Sequence, residues 1–193
     1  DLSAVPTFDG KTYALLRHVG YGQTTTYGAL ARDLGANVTI AGRGTRRLTV
    51  ARSLGIQSIV DVSGQDDVEW AIKSQTEDRN YDAVFEAVGT PATWAACVRL
   101  VRKGGRVNWF GGCAADTSVT LDTGLIHYSS LTLLASFHHT PRSIRRSLQY
   151  IEDGVIRAED FVKDEVPLSR LPESFEAMAA GNAPVKTSVD VRR

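Results

Sequence analysis

YDAVFEAVGTPATWAACVRLVRKGGRVNWFGG, residues 81–112, is the stretch that decides the fold. It contains two mainly apolar segments, and between them a segment whose apolar residues recur at helical spacing. The predicted elements are a strand over Tyr81 to Val88, a helix from Thr90-Pro91 to Lys103, and a strand over Arg106 to Phe110. Two strands that are joined by a helix through short turns are predicted to run parallel.

The same alternation continues on both sides of this stretch. Further strands are predicted over Val38 to Ala41, Ser58 to Val62 and Ser130 to Phe137. Further helices are predicted over Thr45 to Leu54, over Asp66 to Thr76, and from Thr140-Pro141 to Gly154. Because the strands are apolar on both faces, we expect a Rossmann-like, doubly wound parallel α/β sheet with helices on both sides. Such sheets bind ligands at the carboxyl ends of their strands.

The alternation breaks after Gly154, and the remainder is interpreted as a C-terminal extension. Glu165 to Leu168 is extended, Leu171 to Met178 has helical spacing, and Val185 to Val191 alternates like a half-buried strand. We expect this extension to pack against another part of a protein.

Composition limits the classes of function. The 193 residues are 42% hydrophobic and carry 22 basic and 22 acidic side chains, which fits a folded domain and argues against a nucleic-acid binder. Apolar runs such as Leu131 to Ala135 are far shorter than a membrane span, so no membrane partner is expected. Cys97 and Cys113 are the two cysteines, too few for a disulfide scaffold or a four-cysteine zinc site. A cytoplasmic location is therefore expected.

From about Ala36 to the end, the chain resembles the cofactor-binding half of medium-chain, zinc-type alcohol and polyol dehydrogenases. The segments that carry the resemblance are Gly35 to Arg43, Ala51 to Gly55, Tyr81 to Gly89, Gly104 to Gly112, Ala135 to Pro141 and Glu165 to Leu168. The resemblance implies a dinucleotide-binding domain over 36–154, preceded by an atypical segment over 1–35 and followed by the extension over 155–193.

The resemblance also implies hydride transfer between a secondary alcohol and a nicotinamide cofactor, and it identifies candidate cofactor-binding residues. Loops after the third and fourth of these strands approach the cofactor in this family, and the end of the next strand lies beside the nicotinamide. The candidates are Gly20, Gly22, Gly42, Arg43, Arg47, Val88, Gly89, Phe110, Gly111, Ser136 and Phe137. Glycine lets a ligand approach the backbone, although Gly89 and Gly111 also fit ordinary turn positions.

A preference for NADP over NAD is predicted from the end of the strand over Val38 to Ala41. Enzymes that use NAD usually have an acid there to hold the ribose 2′-hydroxyl, whereas this chain has Gly42 followed by Arg43. Arg46 and Arg47 follow one helical turn later, and guanidinium groups bind a 2′-phosphate well. A solvated basic helix start would give the same pattern.

The N-terminal segment departs from the dehydrogenase pattern. Gly20-Tyr-Gly22 supplies two glycines of the phosphate-binding fingerprint, but Thr25 stands at the third position. Residues 1–35 resemble the start of the DNA-binding domain of O6-alkylguanine-DNA alkyltransferases through Asp1 to Val5 and Tyr13 to Gly35, most specifically at Tyr21 to Gly28. The Pro-Cys-His-Arg acceptor motif of that family is absent, so alkyl transfer is excluded. The segment is either a diverged first strand–helix unit, with a strand near 12–18, or a fused piece. The alternative function is therefore a DNA- or protein-binding module derived from a helix-turn-helix.

No catalytic or metal-binding residue is predicted in this chain. In the family, the catalytic zinc ligands and the proton relay come from a separate domain that this chain does not contain. The four histidines offer no ligand set; they are His18, His127, His138 and His139. We therefore expect the chain alone to do no more than bind the cofactor, and turnover of a small alcohol only with the missing domain, on which the extension would pack. In related enzymes the strand matching Ser130 to Phe137 lies at a sheet edge and pairs across a homodimer, so the resemblance implies the same pairing for this chain.

Overall fold

The computed structural model describes residues 36–154 and 156–192. The predictions for residues 1–35, including Gly20, Gly22 and the strand near 12–18, lie outside the described residues. No helix in the described part of the chain is long and apolar enough to cross a membrane.

Strands and helices alternate along the described chain, as the sequence predicts. The strands are β1 (Thr39–Gly42), β2 (Ser58–Asp61), β3 (Tyr81–Glu86), β4 (Val101–Trp109), β5 (Thr132–Ala135), β6 (Val162–Pro167) and β7 (Lys186–Asp190). The α-helices are α1 (Thr45–Ser53), α2 (Val68–Lys73), α3 (Pro91–Leu100), α4 (Thr123–Tyr128), α5 (Pro141–Glu152), α6 (Ala158–Phe161) and α7 (Leu171–Ala179). Single 3₁₀ turns cover Ser74–Thr76 and Leu168–Arg170.

The chain divides into two compact units, and the first contains the described residues 36–63 and 145–192. β1 pairs with β2 in parallel, so that Gly42 lies opposite Asp61. β6 pairs with β7 in parallel, which places the predicted extended and alternating segments of the C-terminal extension in one small sheet. Leu48 and Ala51 of α1 are buried in this unit.

The second unit contains residues 64–144 and a parallel three-stranded sheet in the order β3-β4-β5. Its core centres on Val107 of β4, which is fully buried, together with Val98 and Trp109. Every strand pairing in the two described ranges is parallel, which confirms the prediction from the strand–helix alternation.

Helix α3 begins as the sequence predicts. Thr90 is its N-cap, and the side chains of Thr90 and Thr93 each bond the other residue's backbone N–H in a capping box. Pro91 follows as the first helical residue, where its missing N–H costs no hydrogen bond. The predicted continuation to Lys103 is wrong because the backbone becomes extended at Val101, which pairs with Tyr81.

Further elements differ from the sequence prediction: the short helix α6 was not predicted, and β4 begins at Val101 instead of Arg106. β5 covers only Thr132–Ala135 within the predicted Ser130 to Phe137, and Ser130 has a φ of 51°. The helix α4 was not predicted; the Asp122 carboxylate caps it by accepting a hydrogen bond from Leu125 N at 2.9 Å. Leu125 and Ile126 of α4 pack against the core of the second unit.

Candidate functional site

The carboxyl end of β3 is organised by its last residue, Glu86. Oε1 of this buried carboxylate accepts hydrogen bonds from Val88 N at 2.9 Å and Gly89 N at 2.8 Å. The hydroxyl of Thr93 in the first turn of α3 donates a third hydrogen bond to the same oxygen at 2.7 Å. The loop that leaves β3 therefore turns around this side chain.

The carboxyl end of β4 is bonded to the same residue through its backbone. The N–H groups of Phe110 and Gly111 both donate to the carbonyl oxygen of Glu86, at 2.9 Å each. The carbonyl of Gly111 in turn accepts a hydrogen bond from Trp94 Nε1 at 2.8 Å. Val88, Gly89, Phe110 and Gly111 are thus brought together at two adjacent strand ends.

The glycines at these ends are required because the two loops approach each other closely. A Cβ atom on Gly111 would lie 2.5 Å from Gly89 N and 2.6 Å from Glu86 Oε2. Gly89 has a φ of +82°, and a Cβ there would overlap the carbonyl group of Gly112. Ligand approach was the predicted role of these glycines; their contacts show that close internal packing already requires glycine at both positions.

Apolar side chains beside these loops are exposed. Val88, two residues beyond the end of β3, is 70% exposed, and Phe110, directly after β4, is 48% exposed. At the end of β5, Ser136 N bonds Trp109 O, and Ser136 Oγ donates to Asn108 Oδ1 at 3.0 Å. Phe137, the next residue, is 69% exposed. The three strand ends of the second unit therefore offer an apolar edge with fixed backbone, which is the kind of surface that a flat aromatic ligand contacts.

A pair of stacked indoles lies directly beside the Gly111 loop. The rings of Trp94 and Trp109 have centroids 4.7 Å apart and are tilted by 8°. Trp109 Nε1 donates to Trp94 O at 3.2 Å, and Trp94 Nε1 reaches Gly111 O. The position of Gly111 is therefore linked to the environment of both rings.

The first unit carries the remaining described candidates, at the carboxyl end of β1. Gly42 ends the strand, and Arg43 and Arg47 have exposed side chains. Within the part of the chain that the structure describes, neither guanidinium has an ion-pair partner, whereas Arg46 Nη1 donates to Asn182 O at 3.3 Å. Arg43 and Arg47 are thus exposed without an ion pair to a described residue, whereas Arg46 makes one hydrogen bond.

One carboxylate at this end was missed by the sequence analysis. Asp61, opposite Gly42, accepts a hydrogen bond from Ser63 N at 2.9 Å. Hydrogen bonds from the side chain and backbone of Ser63 hold the pKa of Asp61 below its usual value, so this carboxylate is ionised at neutral pH. The sequence signal for Asp61 was an acid directly after the apolar residues Ile59 and Val60 of β2.

Cys97 has the properties of a core residue. Burial raises the pKa of its thiol to about 12, and the charges of Glu86 and Glu69 act in the same direction. The thiolate, which is the nucleophilic form, is therefore suppressed at neutral pH. Among the described residues, no group of three or more His, Cys, Asp or Glu side chains is arranged to hold a metal ion.

Comparison with known proteins places the chain in a family. Residues 25–153 match the family described as zinc-binding dehydrogenase. The chain belongs to the zinc-binding dehydrogenase family. This membership confirms the predicted resemblance to medium-chain alcohol and polyol dehydrogenases, and the matched part corresponds to their NAD(P)-binding half.

Individual relatives within the zinc-binding dehydrogenases match over much of the chain. D-altritol 5-dehydrogenase from Agrobacterium fabrum is 32% identical over 152 residues, which are 78% of this chain and 42% of the relative. Sorbitol dehydrogenase from Bacillus subtilis is 24% identical over 130 residues, which are 67% of this chain and 36% of the relative. The chain thus spans less than half the length of these two dehydrogenases.

Solved structures agree on the parallel, Rossmann-like α/β fold. An alcohol dehydrogenase from Thermus sp. ATN1 is 28% identical with a TM-score of 0.70, covering 83% of this chain and 46% of its own. Benzyl alcohol dehydrogenase from Acinetobacter calcoaceticus has a TM-score of 0.72 at 18% identity, covering 97% of this chain and 57% of its own. The second likeness is one of fold alone.

Proposed function

We propose that this chain is the NADP-preferring cofactor-binding part of a medium-chain oxidoreductase that acts on a polyol or another secondary alcohol. The observation that carries the proposal is the joined pair of loops at the ends of β3 and β4, in a chain of the zinc-binding dehydrogenase family. The fixed backbone of these two loops, with the exposed side chains of Val88 and Phe110 beside it, would give a flat cofactor an apolar edge to lie against.

The residues divide by the part of the cofactor that they would bind. Val88, Gly89, Phe110 and Gly111, with Ser136 and Phe137, would contact the nicotinamide half through backbone groups and apolar edges. Arg43 and Arg47 would bind the 2′-phosphate of NADP as charged hydrogen-bond donors, with Gly42 leaving room beside them. The nicotinamide held by these residues would supply the hydride acceptor for oxidation of a carbinol carbon, and the hydroxyl proton would pass to a base.

Polyols are the proposed substrates because D-altritol 5-dehydrogenase and sorbitol dehydrogenase are among the relatives. The zinc that polarises the alcohol would be held by residues outside 36–192, in a catalytic domain. We propose that the exposed apolar face of α7, formed by Phe175 and Met178, packs on that domain.

We also propose that β5, at an end of its sheet with Leu134 half exposed, pairs across a homodimer. Both described cysteines are unpaired, which suits the cytoplasm.

Binding of the reduced cofactor is directly observable because all three tryptophans lie in the second unit, at positions 70, 94 and 109. Reduced nicotinamide absorbs where tryptophan emits, so bound NADPH should quench the protein fluorescence by energy transfer and gain emission of its own. Saturable quenching supports the proposed function. Quenching that rises only linearly with NADPH concentration, as an inner-filter effect does, would count against it.

The arginine assignment gives a separate prediction. Arg43→Ala should weaken NADPH binding by about tenfold and leave NADH binding within about twofold, because one exposed charge-assisted contact to the 2′-phosphate is lost. The matched control is Arg52→Ala, since Arg52 is an exposed arginine at the opposite end of α1. Dissociation constants from fluorescence titration provide the measurement. Equal weakening of both cofactors by Arg43→Ala would reject the 2′-phosphate role.

A further inference from the structure

Glu86 is bonded to the loops at two strand ends at once, through different groups. Its carbonyl oxygen accepts from Phe110 N and Gly111 N, so the residue fixes the backbone that follows β4. Its carboxylate Oε1 accepts from Val88 N, Gly89 N and the Thr93 hydroxyl, so the same residue fixes the loop that follows β3. No other residue in the described ranges bonds to both loops in this way.

The second carboxylate oxygen of Glu86, Oε2, limits how closely the loops after β3 and β4 approach each other. Oε2 is buried, has no hydrogen-bond partner among the described residues, and lies against Gly111, where an added Cβ would be 2.6 Å from it. Glu86 as a whole is only 2% exposed. The side chain thus fills the space between the loops, and any change in its length or polarity must move one of them.

We propose that Glu86 is the positioning residue of the nicotinamide half of the cofactor site, which it acts on through the loops at Val88 to Gly89 and Phe110 to Gly111. This inference rests on the proposed function. Glu86 itself does not touch the cofactor: its carboxylate is covered by the two loops, and it sets the distance between the backbone edges that the cofactor contacts.

Glutamate is the residue type that this position demands. Three donors converge on Oε1, and an ionised carboxylate accepts such bonds more strongly than a neutral amide does. In Glu86→Gln, the amide NH₂ must either face the three donors at the Oε1 position or take the buried Oε2 position, where the carboxylate oxygen makes no hydrogen bond with a described residue. The loops are therefore expected to shift when this substitution is made.

The indole pair provides a readout that a general loss of stability would not move. Trp94 Nε1 is bonded to Gly111 O and its ring is stacked on Trp109, so a shift of Gly111 changes the environment of Trp94 in the folded protein. Trp70 is 66% exposed and would contribute background emission, so all variants are made in a Trp70→Phe background.

The experiment compares Glu86→Gln with Glu69→Gln in the full chain. Glu69→Gln is the matched control because the same change of residue type is made in the same unit. The Glu69 carboxylate pairs with Arg99, which joins helices α2 and α3 and not the two loops. Tryptophan emission and near-ultraviolet circular dichroism are recorded without cofactor, and dissociation constants are then measured for NADPH. Glu86→Asp is made as well, because it keeps the charge and withdraws the carboxylate by one methylene.

We expect Glu86→Gln to change the tryptophan signature and to weaken NADPH binding by about tenfold or more, as the loss of one charged hydrogen-bond network predicts. Glu69→Gln should leave the dissociation constant unchanged. If Glu86→Gln does not fold, Glu86→Asp decides, with the same direction of change expected. A wild-type signature and a wild-type dissociation constant in a folded Glu86 variant would overturn the inference. If the unsubstituted chain binds no NADPH, the proposed function fails, and the tryptophan signature alone still decides whether Glu86 positions the loops.

Discussion

Gly111→Ala should abolish detectable NADPH binding and lower the free energy of unfolding of the second unit by about 1–3 kcal/mol, the usual cost of forcing extra volume into a packed site. The added Cβ would meet Gly89 N, Glu86 Oε2 and Val88 N at 2.5–2.8 Å, and two of these atoms belong to backbone. Backbone cannot swing aside as a flexible side chain can, so the loops after β3 and β4 must separate. Urea unfolding followed by tryptophan emission measures the stability change.

The neighbouring glycine provides the control for Gly111→Ala. A Cβ on Gly112 would have no atom within 4 Å, and Gly112 does not have a positive φ. Gly112→Ala should therefore leave stability and NADPH binding close to those of the unsubstituted chain. Equal effects of the two substitutions would contradict the view that close packing of Gly111 on Gly89 and Glu86 shapes the site.

Gly89→Ala is expected to have the second large effect, because two costs add at this position. The backbone φ of +82° disfavours alanine by about 1 kcal/mol, and the contact with the carbonyl group of Gly112 adds about 1–3 kcal/mol of overpacking. NADPH binding should be lost along with the loop conformation. The stability change is again measured by urea unfolding.

A second glycine of the same unit separates these two costs. Gly64 has a similar φ of +69°, but a Cβ there would have no atom within 4 Å. Gly64→Ala should therefore show the backbone cost alone, about 1 kcal/mol, with cofactor binding retained. If Gly64→Ala destabilises the protein as much as Gly89→Ala does, the close approach of the two loops contributes nothing, and our description of the site is wrong.

The sequence predicted the parallel fold because several local signals agree with each other. In residues 81–112, strand composition, the Thr90-Pro91 helix start and the short turns all indicate one strand–helix–strand unit, and β3, α3 and β4 confirm it. Where the sequence prediction failed, spacing was ambiguous. Val101 stands at helical spacing from Trp94 and Val98, but the same spacing suits a buried residue at the start of β4.

The site was less predictable than the fold. The sequence pointed to the loops at Gly89 and Gly111, and these loops do meet at neighbouring strand ends. Glu86 was missed because its role depends on four backbone N–H groups and one hydroxyl, brought to it from two loops and a helix. Such convergence is a property of tertiary structure, which residue spacing along the chain does not encode. The signal available was an acid at the end of β3, directly after the apolar residues 83–85.

The roles of Arg43 and Arg47 are still predictions, and their exposure without a partner in the described residues is the structural support for them. The charge of Asp61 opposite Gly42 works against an anion at this strand end. Preference for NADP therefore requires that the charges of the two exposed arginines outweigh that of one carboxylate, which the comparison of Arg43→Ala with Arg52→Ala tests.

Calorimetric titration of the full chain with NADPH and with NADH tests the central claim most directly. We predict saturable, one-site binding of NADPH well below millimolar concentration, with NADH binding more weakly. Absence of binding by both cofactors up to millimolar concentration, in a chain that circular dichroism shows to be folded, would contradict the assignment of these strand ends to a nicotinamide dinucleotide.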